Sequence, residues 1–345
     1  MPMRPRPFLD SAARRLRPDA ARAVAILVFA TCVVGVPRDG GVTPVAAAAS
    51  AGSPVPSAPT GLAVMTDSFG LIQMAWDASP AVPPLTGYLL EAGSAPGRTD
   101  VGSLTRPAAE PSFVATDVPP GTYYLRLRAL TADAVSSPSN EVRLTVRPTA
   151  NDAGAPAIPA WTQFRMLGST AMLSWRIQLG SAPITASIVE AGTWPGMNDL
   201  GEVVTREMSL TVRDVPPGVY YVNLYAKNDR GTRRLTVPMG VIVTPSCTYV
   251  IGSNMIADLG RVGGFGQFGI TTSDASCPWV AETDRTWFAM TRIGQPENPV
   301  IGTGTGGFTL QAPPNFGSRR VGLIKIRAAG REIVAFIQQR NFFEY

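Results

Sequence analysis

The sequence has no histidine and only two lysines, Lys227 and Lys325. Histidine is the one side chain that titrates near neutrality unperturbed, and it is the commonest metal ligand. Its absence excludes Ser-His-Asp and Cys-His catalysis and most zinc sites. Both lysines stand inside strand-like runs. Charged residues make up only 16% of the chain, and three of the 345 residues are cysteine. No stretch repeats apolar residues at helical spacing over a useful length. An enzyme would be left with carboxylates, yet Glu202, Glu207, Glu282, Asp284 and Glu297 fall at turns and strand ends with no paired motif of the glycosidase kind. The chain reads as non-enzymatic, with no cofactor and no metal.

What is present points to strands. Hydrophobic residues make up 45%, and 34 glycines and 32 prolines punctuate short apolar runs, as in many strands joined by turns. The net charge is +5, but residues 1–49 hold seven arginines against three aspartates. The remainder is close to neutral and offers no concentrated basic face, which excludes nucleic acid as a partner.

Ala23–Val36 is an apolar run of 14 residues after an arginine-rich start, and Ala46–Ala49 is an alanine tract. A basic segment, a short apolar core and a small-residue site make a secretory signal peptide, with cleavage expected near Ala49. The alternative is a retained anchor, although a helical span takes about 20 residues. The expected address is exported: secreted, periplasmic or cell-surface, with no membrane contact beyond the export signal.

The rest of the chain repeats itself. Asp117-Val118-Pro119-Pro120-Gly121-Thr122-Tyr123-Tyr124 recurs as Asp214-Val215-Pro216-Pro217-Gly218-Val219-Tyr220-Tyr221, Glu91-Ala92-Gly93 as Glu190-Ala191-Gly192, and Trp76 as Trp175. The spacing is about that of one sandwich domain. Leu71–Trp76 and Ala171–Trp175 alternate and end on tryptophan. Tyr123, Leu125, Leu127 and Ala129 share one face of a strand, and Tyr124, Arg126 and Arg128 the other. Trp76 and Trp175 read as core rather than sugar-stacking residues, and Trp194, in Thr193-Trp194-Pro195-Gly196, as the better candidate for an exposed aromatic.

Pro56–Leu62, Trp76, Gly87–Gly93, Pro120–Ala129 and Ser137–Glu141 together resemble a fibronectin type III domain. The second copy is similar but departs at Ser187, which stands where Tyr88 was, and at Arg233-Arg234-Leu235. The resemblance implies an immunoglobulin-like sandwich and says little of function.

Beyond Pro245, Cys247 and Cys277 are the only cysteines after the leader. In an exported protein this pair reads as a disulfide, the alternative being two buried thiols. Closing a loop of that length stabilises by about 3–4 kcal/mol. Strands are expected at Phe265–Thr272, Trp279–Thr283, Phe308–Gln311, Val321–Arg327 and Ile333–Gln338. Gly264-Phe265-Gly266-Gln267-Phe268-Gly269 matches the dinucleotide glycine pattern, but a strand continues where a helix should open.

Cys247–Ile251, Gly263–Gly266, Cys277–Ala281, Thr286–Phe288, Gly302–Leu310, Asn315, Arg320–Ile326 and Phe336–Gln339 follow an order similar to the BACON family of exported bacterial sandwiches. That resemblance implies a carbohydrate site, for which Trp279, Trp287, Phe288, Asn315 and Arg320 are the candidate residues. The competing account packs the tryptophans in the core and pairs Arg320 with backbone. Arg292–Val300 departs from the pattern as an insertion-like segment.

The expectation is thus an all-β chain: signal peptide 1–49, linker 50–55, fibronectin type III-like sandwich 56–147, linker 148–155, second such sandwich 156–245, and a BACON-like sandwich 246–345. Two spacer sandwiches would present a C-terminal domain to an extracellular glycan or cell-surface protein. The alternative is a structural or assembly component of the envelope that binds protein partners.

Overall fold

The computed structural model describes residues 54–66, 71–80, 84–150, 154–177, 182–235, 238–251, 256–292 and 294–342. The segment read as a signal peptide, residues 1–49, lies outside them. The described chain is all-β, and residues from Gly52 on form one compact unit.

The first section contains β1 (Thr60–Thr66), β2 (Ile72–Asp77), β3 (Gly87–Gly93), β4 (Gly102–Pro107), β5 (Ser112–Ala115), β6 (Gly121–Leu130) and β7 (Val142–Val146). The second has β8 (Ala160–Leu167), β9 (Thr170–Arg176), β10 (Ala186–Gly192), β11 (Gly201–Thr205), β12 (Ser209–Val212), β13 (Gly218–Asn228), β14 (Gly231–Arg234) and β15 (Met239–Val243). The third begins with β16 (Thr248–Ile251), β17 (Ile256–Asp258), β18 (Gly264–Thr272), β19 (Pro278–Glu282) and β20 (Ala289–Arg292). It ends with β21 (Gln295–Pro296), β22 (Val300–Thr303), β23 (Gly306–Ala312), β24 (Arg320–Ala328) and β25 (Arg331–Gln339).

In the first section the sheet β1-β2-β5 faces the sheet β4-β3-β6-β7 across a core of Leu62, Val64, Met74, Trp76, Tyr88, Leu127 and Leu144. Trp76 meets the edge of Tyr88 at 5.4 Å between centroids. The second section repeats this plan, with β12-β9-β8 against β11-β10-β13-β15 and Trp175 in its core. The repeat extends to fine detail. Tyr123 donates its hydroxyl to the Pro119 carbonyl and Tyr220 to that of Pro216, while Asp117 and Asp214 both adopt positive φ. After β3 and after β10, Ser94 and Thr193 each bind both oxygens of an aspartate six residues on, Asp100 and Asp199.

Each copy also keeps a carboxylate on its third strand. Glu91 accepts from Arg126 and Arg128, whereas buried Glu190 accepts from Arg147, Asn223 and Tyr225. Burial alone would raise the Glu91 pKa, but the two guanidinium groups outweigh it and hold the carboxyl below its ordinary range. A depressed folded pKa contributes stability above the unfolded value and loses it as pH falls through the folded one. Glu91→Gln is therefore expected to lower stability at pH 7 and to flatten its decline on acidification. Urea midpoints measured along a pH series check this, and curves of equal slope for both chains would refute it.

The three sections do not hang as separate beads. Pro148–Ala150, expected as linker, pair with Thr232. Across 245/246 the sheet does not stop: β16 pairs antiparallel with β15, so one ten-stranded sheet runs from β11 through β23 to β21. Tyr221 and Ile242 of the second section accordingly sit in the core of the third. The third section's other sheet, β17-β25-β24-β19-β22, covers that core with Ile324, Ile326, Ile333, Ala335 and Ile337. The opposite face of the same strands carries Val321, Leu323, Val334 and Phe336, which pack on Ala63, Met65 and Ala75 of β1 and β2. Strands buried on both faces lose the polar half of their alternation, and Leu62-Ala63-Val64-Met65 and Ile333–Ile337 are continuous apolar runs for that reason.

Polar contacts fix the arrangement. Gln73 bonds Gln338, Lys325 reaches Asp77 at 2.7 Å, and Tyr221 accepts the Val334 amide at 2.8 Å. Arg234 bridges Thr66 and Asn223. The turn that carries Trp194 is not an exposed aromatic loop: the indole is half-buried, donates to the Leu62 carbonyl at 2.7 Å and packs on the first section's core. Gly196, at φ +87°, lets the turn close in, since a Cβ there would sit 2.4 Å from the Val64 carbonyl.

Candidate functional site

The third section holds the expected disulfide, Cys247–Cys277. The glycine pattern 264–269 lies wholly within β18, a strand as read from the sequence. Arg292–Val300 is not irregular throughout, for β20 and β21 form a short hairpin there.

The five candidate sugar-binding residues do not form one surface. Trp279 is 2% exposed. Its ring is pressed over Gly302, where a Cβ would stand 2.2 Å away, and its Nε1 donates to the Gly304 carbonyl at 3.0 Å. Phe288 and Asn315 are buried too. Asn315 Nδ2 donates to carbonyls of Ser318, Gln339 and Arg340, and its Oδ1 accepts the Gly317 amide, so this amide locks a loop. These three side chains are closed off because apolar and amide groups were needed to fill and tie the section itself.

Trp287 and Arg320 stay together at the surface. The Arg320 guanidinium lies 4.5 Å over the Trp287 ring and donates to Gln339 Oε1 at 3.0 and 2.6 Å. Phe288 meets the indole edge-on at 4.7 Å. Gly322 lies beneath them, where a Cβ would come within 3.0 Å of Phe288 and 3.2 Å of Trp287. The pair forms one wall of a groove of about 610 Å³ between the third section and the first.

The facing wall comes from the first section and was not foreseen. Arg106 lies 5.0 Å over Phe113 and pairs with Glu110. Arg285, at the groove floor, donates to the Trp76 carbonyl at 2.7 Å and meets Asp284 at 3.3 Å. Burial pulls the pKa values of Arg285 and Arg320 down, against nearby acids in the case of Arg285. The groove is thus lined by two stacked arginine–aromatic pairs, Arg106–Phe113 and Arg320–Trp287, with Phe113 also packed against the first section's own core. Guanidinium groups offer forked N–H donors to oxygen-rich ligands, and aromatic rings offer flat apolar area. Arg106 and Phe113 carry no sequence signal for this role, because only the docking of the two sections brings them opposite Trp287.

Among the described residues no cluster of histidine, cysteine, aspartate or glutamate is built to hold a metal, and no helix is long and apolar enough to cross a membrane. No protein-family model matches the chain, and no curated protein matches it.

Proposed function

We propose that the chain is an exported, non-catalytic binding protein that holds an extracellular glycan in the groove between its first and third sections. The observation that carries this reading is that Arg320–Trp287 and Arg106–Phe113 both line one cleft of oligosaccharide size. A sugar site needs flat apolar area beside donors for ring hydroxyls, and both walls supply the two together. The export reading rests on the leader-like segment 1–49, with the Cys247–Cys277 disulfide in keeping with it. The fibronectin type III and BACON resemblances support the same setting. In this reading the first sandwich is not a spacer but half of the site.

The test is a glycan-array screen of the purified chain beside Trp287→Ala and Phe113→Ala. A sugar bound by the parent chain and lost by about tenfold or more in both variants, one on each wall, is the expected result. Loss in Trp287→Ala alone would place the ligand on the third section only. A folded chain that binds no sugar would turn the reading to the envelope-assembly alternative, which the exposed apolar residues Leu200, Val203, Val204 and Met208 of the second section favour.

A further inference from the structure

We propose that β11 is a self-association edge at which two copies of this chain pair β11 with β11, antiparallel, about a two-fold axis through Val204. The strand ends the ten-stranded sheet, and among the described residues β10 is its one paired neighbour. Gly201–Val204 are exposed, with Val203 at 42% and Val204 at 57%. Open apolar edges invite a further strand, and proteins ordinarily block them with charge, proline or a covering group. Two other edges of this molecule are blocked in that way. β4, the counterpart of β11 in the first copy, ends in Arg106-Pro107, and on β22 the Arg292 guanidinium caps the Ile301 carbonyl.

The apolar character extends past the strand itself. Val203 stands opposite the core residue Val189. Val212 lies two positions beyond Leu210, which packs on the same core. With Met208 these residues rim the open side of the sandwich, Met208 38% and Val212 41% exposed. In the first copy the residue at the place of Val203 is Leu104, which packs against its own core, and that of Val204 is Thr105. The edge was therefore left apolar in one repeat and not in the other.

Charge complementarity selects a second copy as the occupant. With the axis through Val204, Val204 meets its own counterpart, Val203 meets Thr205, and Glu202 meets Arg206 twice over. The two members of each opposed pair then lie on the same face of the joined sheet, as a two-fold axis normal to it requires. An axis through Val203 would set Glu202 against Val204 and lose both ion pairs. Glu202 is held from one side by Arg147 yet keeps 40% of its side chain exposed, and Arg206, in the bend that directly follows β11, is exposed. Opposite charges directly across two antiparallel strands stabilise the pairing.

Sedimentation equilibrium of the purified full chain tests the proposal. A concentration-dependent dimer is expected. Val204→Lys would oppose two like charges on the axis and weaken the dimer by about tenfold or more. Arg206→Glu would set carboxylate against carboxylate at both ends with a similar loss, and combining it with Glu202→Arg would restore dimerisation. Circular dichroism of each variant checks that the fold is kept, and the charge exchange still decides should Val204→Lys unfold. A parent chain that stays monomeric throughout the concentration range would overturn the proposal, as would a dimer indifferent to Val204→Lys and to the exchange.

Discussion

Phe336→Asp is expected to release the first section from the third while the third section stays folded. Phe336 is 2% exposed, and its ring belongs to the layer formed with Val321, Leu323, Val334, Met65, Ala63 and Ala75. The neighbouring Ile337 points to the opposite side, into the third section's own core. A carboxylate at 336 would be buried with no partner among apolar side chains, at a cost of several kcal/mol. Opening the layer relieves that cost, since position 336 would then face water and the inner core would keep every residue. Ile337→Asp, one position on, has no such escape and should unfold the third section outright. Small-angle scattering checks the first variant through an increased radius of gyration. Hydrogen exchange should show lost protection at Ala63–Met65 with protection kept at Phe268 and Leu310. A Phe336→Asp chain as compact as the parent would refute the account, and so would one that loses the third section's core. Because both walls of the proposed groove depend on this layer, the same variant should lose glycan binding without any change in Trp287, Arg320, Arg106 or Phe113.

The strands of this protein were largely legible in its sequence, because alternation and turn residues act within ten residues. Tyr123–Ala129 alternates as read, and Trp76 and Trp175 end their strands inside the cores. What escaped was the packing of one section on another, and the repeat shows why. On the outer face of β1-β2-β5 stand Ala63, Met65, Ala75 and Val114; strand register puts Gln163, Arg165, Ser174 and Thr211 in the same places on the second copy. The first set is docked and the second meets solvent. A comparison of the copies position by position carries that signal, whereas a search for shared landmarks discards it. Trp194 is the same case: its turn matches Ser94-Ala95-Pro96-Gly97, and the alanine-to-tryptophan difference marks the copy that inserts into its neighbour. The candidate site was half legible, for Trp287 and Arg320 sit at the groove. Its other wall is assembled from residues about 180 positions away, beyond any local pattern.

Trp279→Ala is expected to destabilise the third section by about 3–5 kcal/mol, the usual cost of emptying a buried aromatic site. The surroundings cannot close over the gap. The indole lies over Gly302 and near Gly306, and its rim touches Phe308 at 6.4 Å between centroids. Those residues belong to β22 and β23, which strand pairing holds in register with β19 and β18. The disulfide pins Cys277 two residues before the tryptophan, so the start of β19 cannot shift inward either. Removal of the ring also strands the Gly304 carbonyl that its Nε1 serves. Trp287→Ala, at the half-buried groove wall, should cost only about 1 kcal/mol while it abolishes the Arg320 stack. Urea unfolding followed by near-ultraviolet circular dichroism separates the two, and glycan binding measured well below each midpoint assigns the role. A Trp279→Ala chain of parental stability that no longer binds sugar would make Trp279 a contact residue and undo the groove. The expected pattern, lost stability at 279 and lost binding at 287, separates two tryptophans of one core: Trp279 fills the sandwich, and Trp287, packed at the rim of the same core, lines the proposed groove.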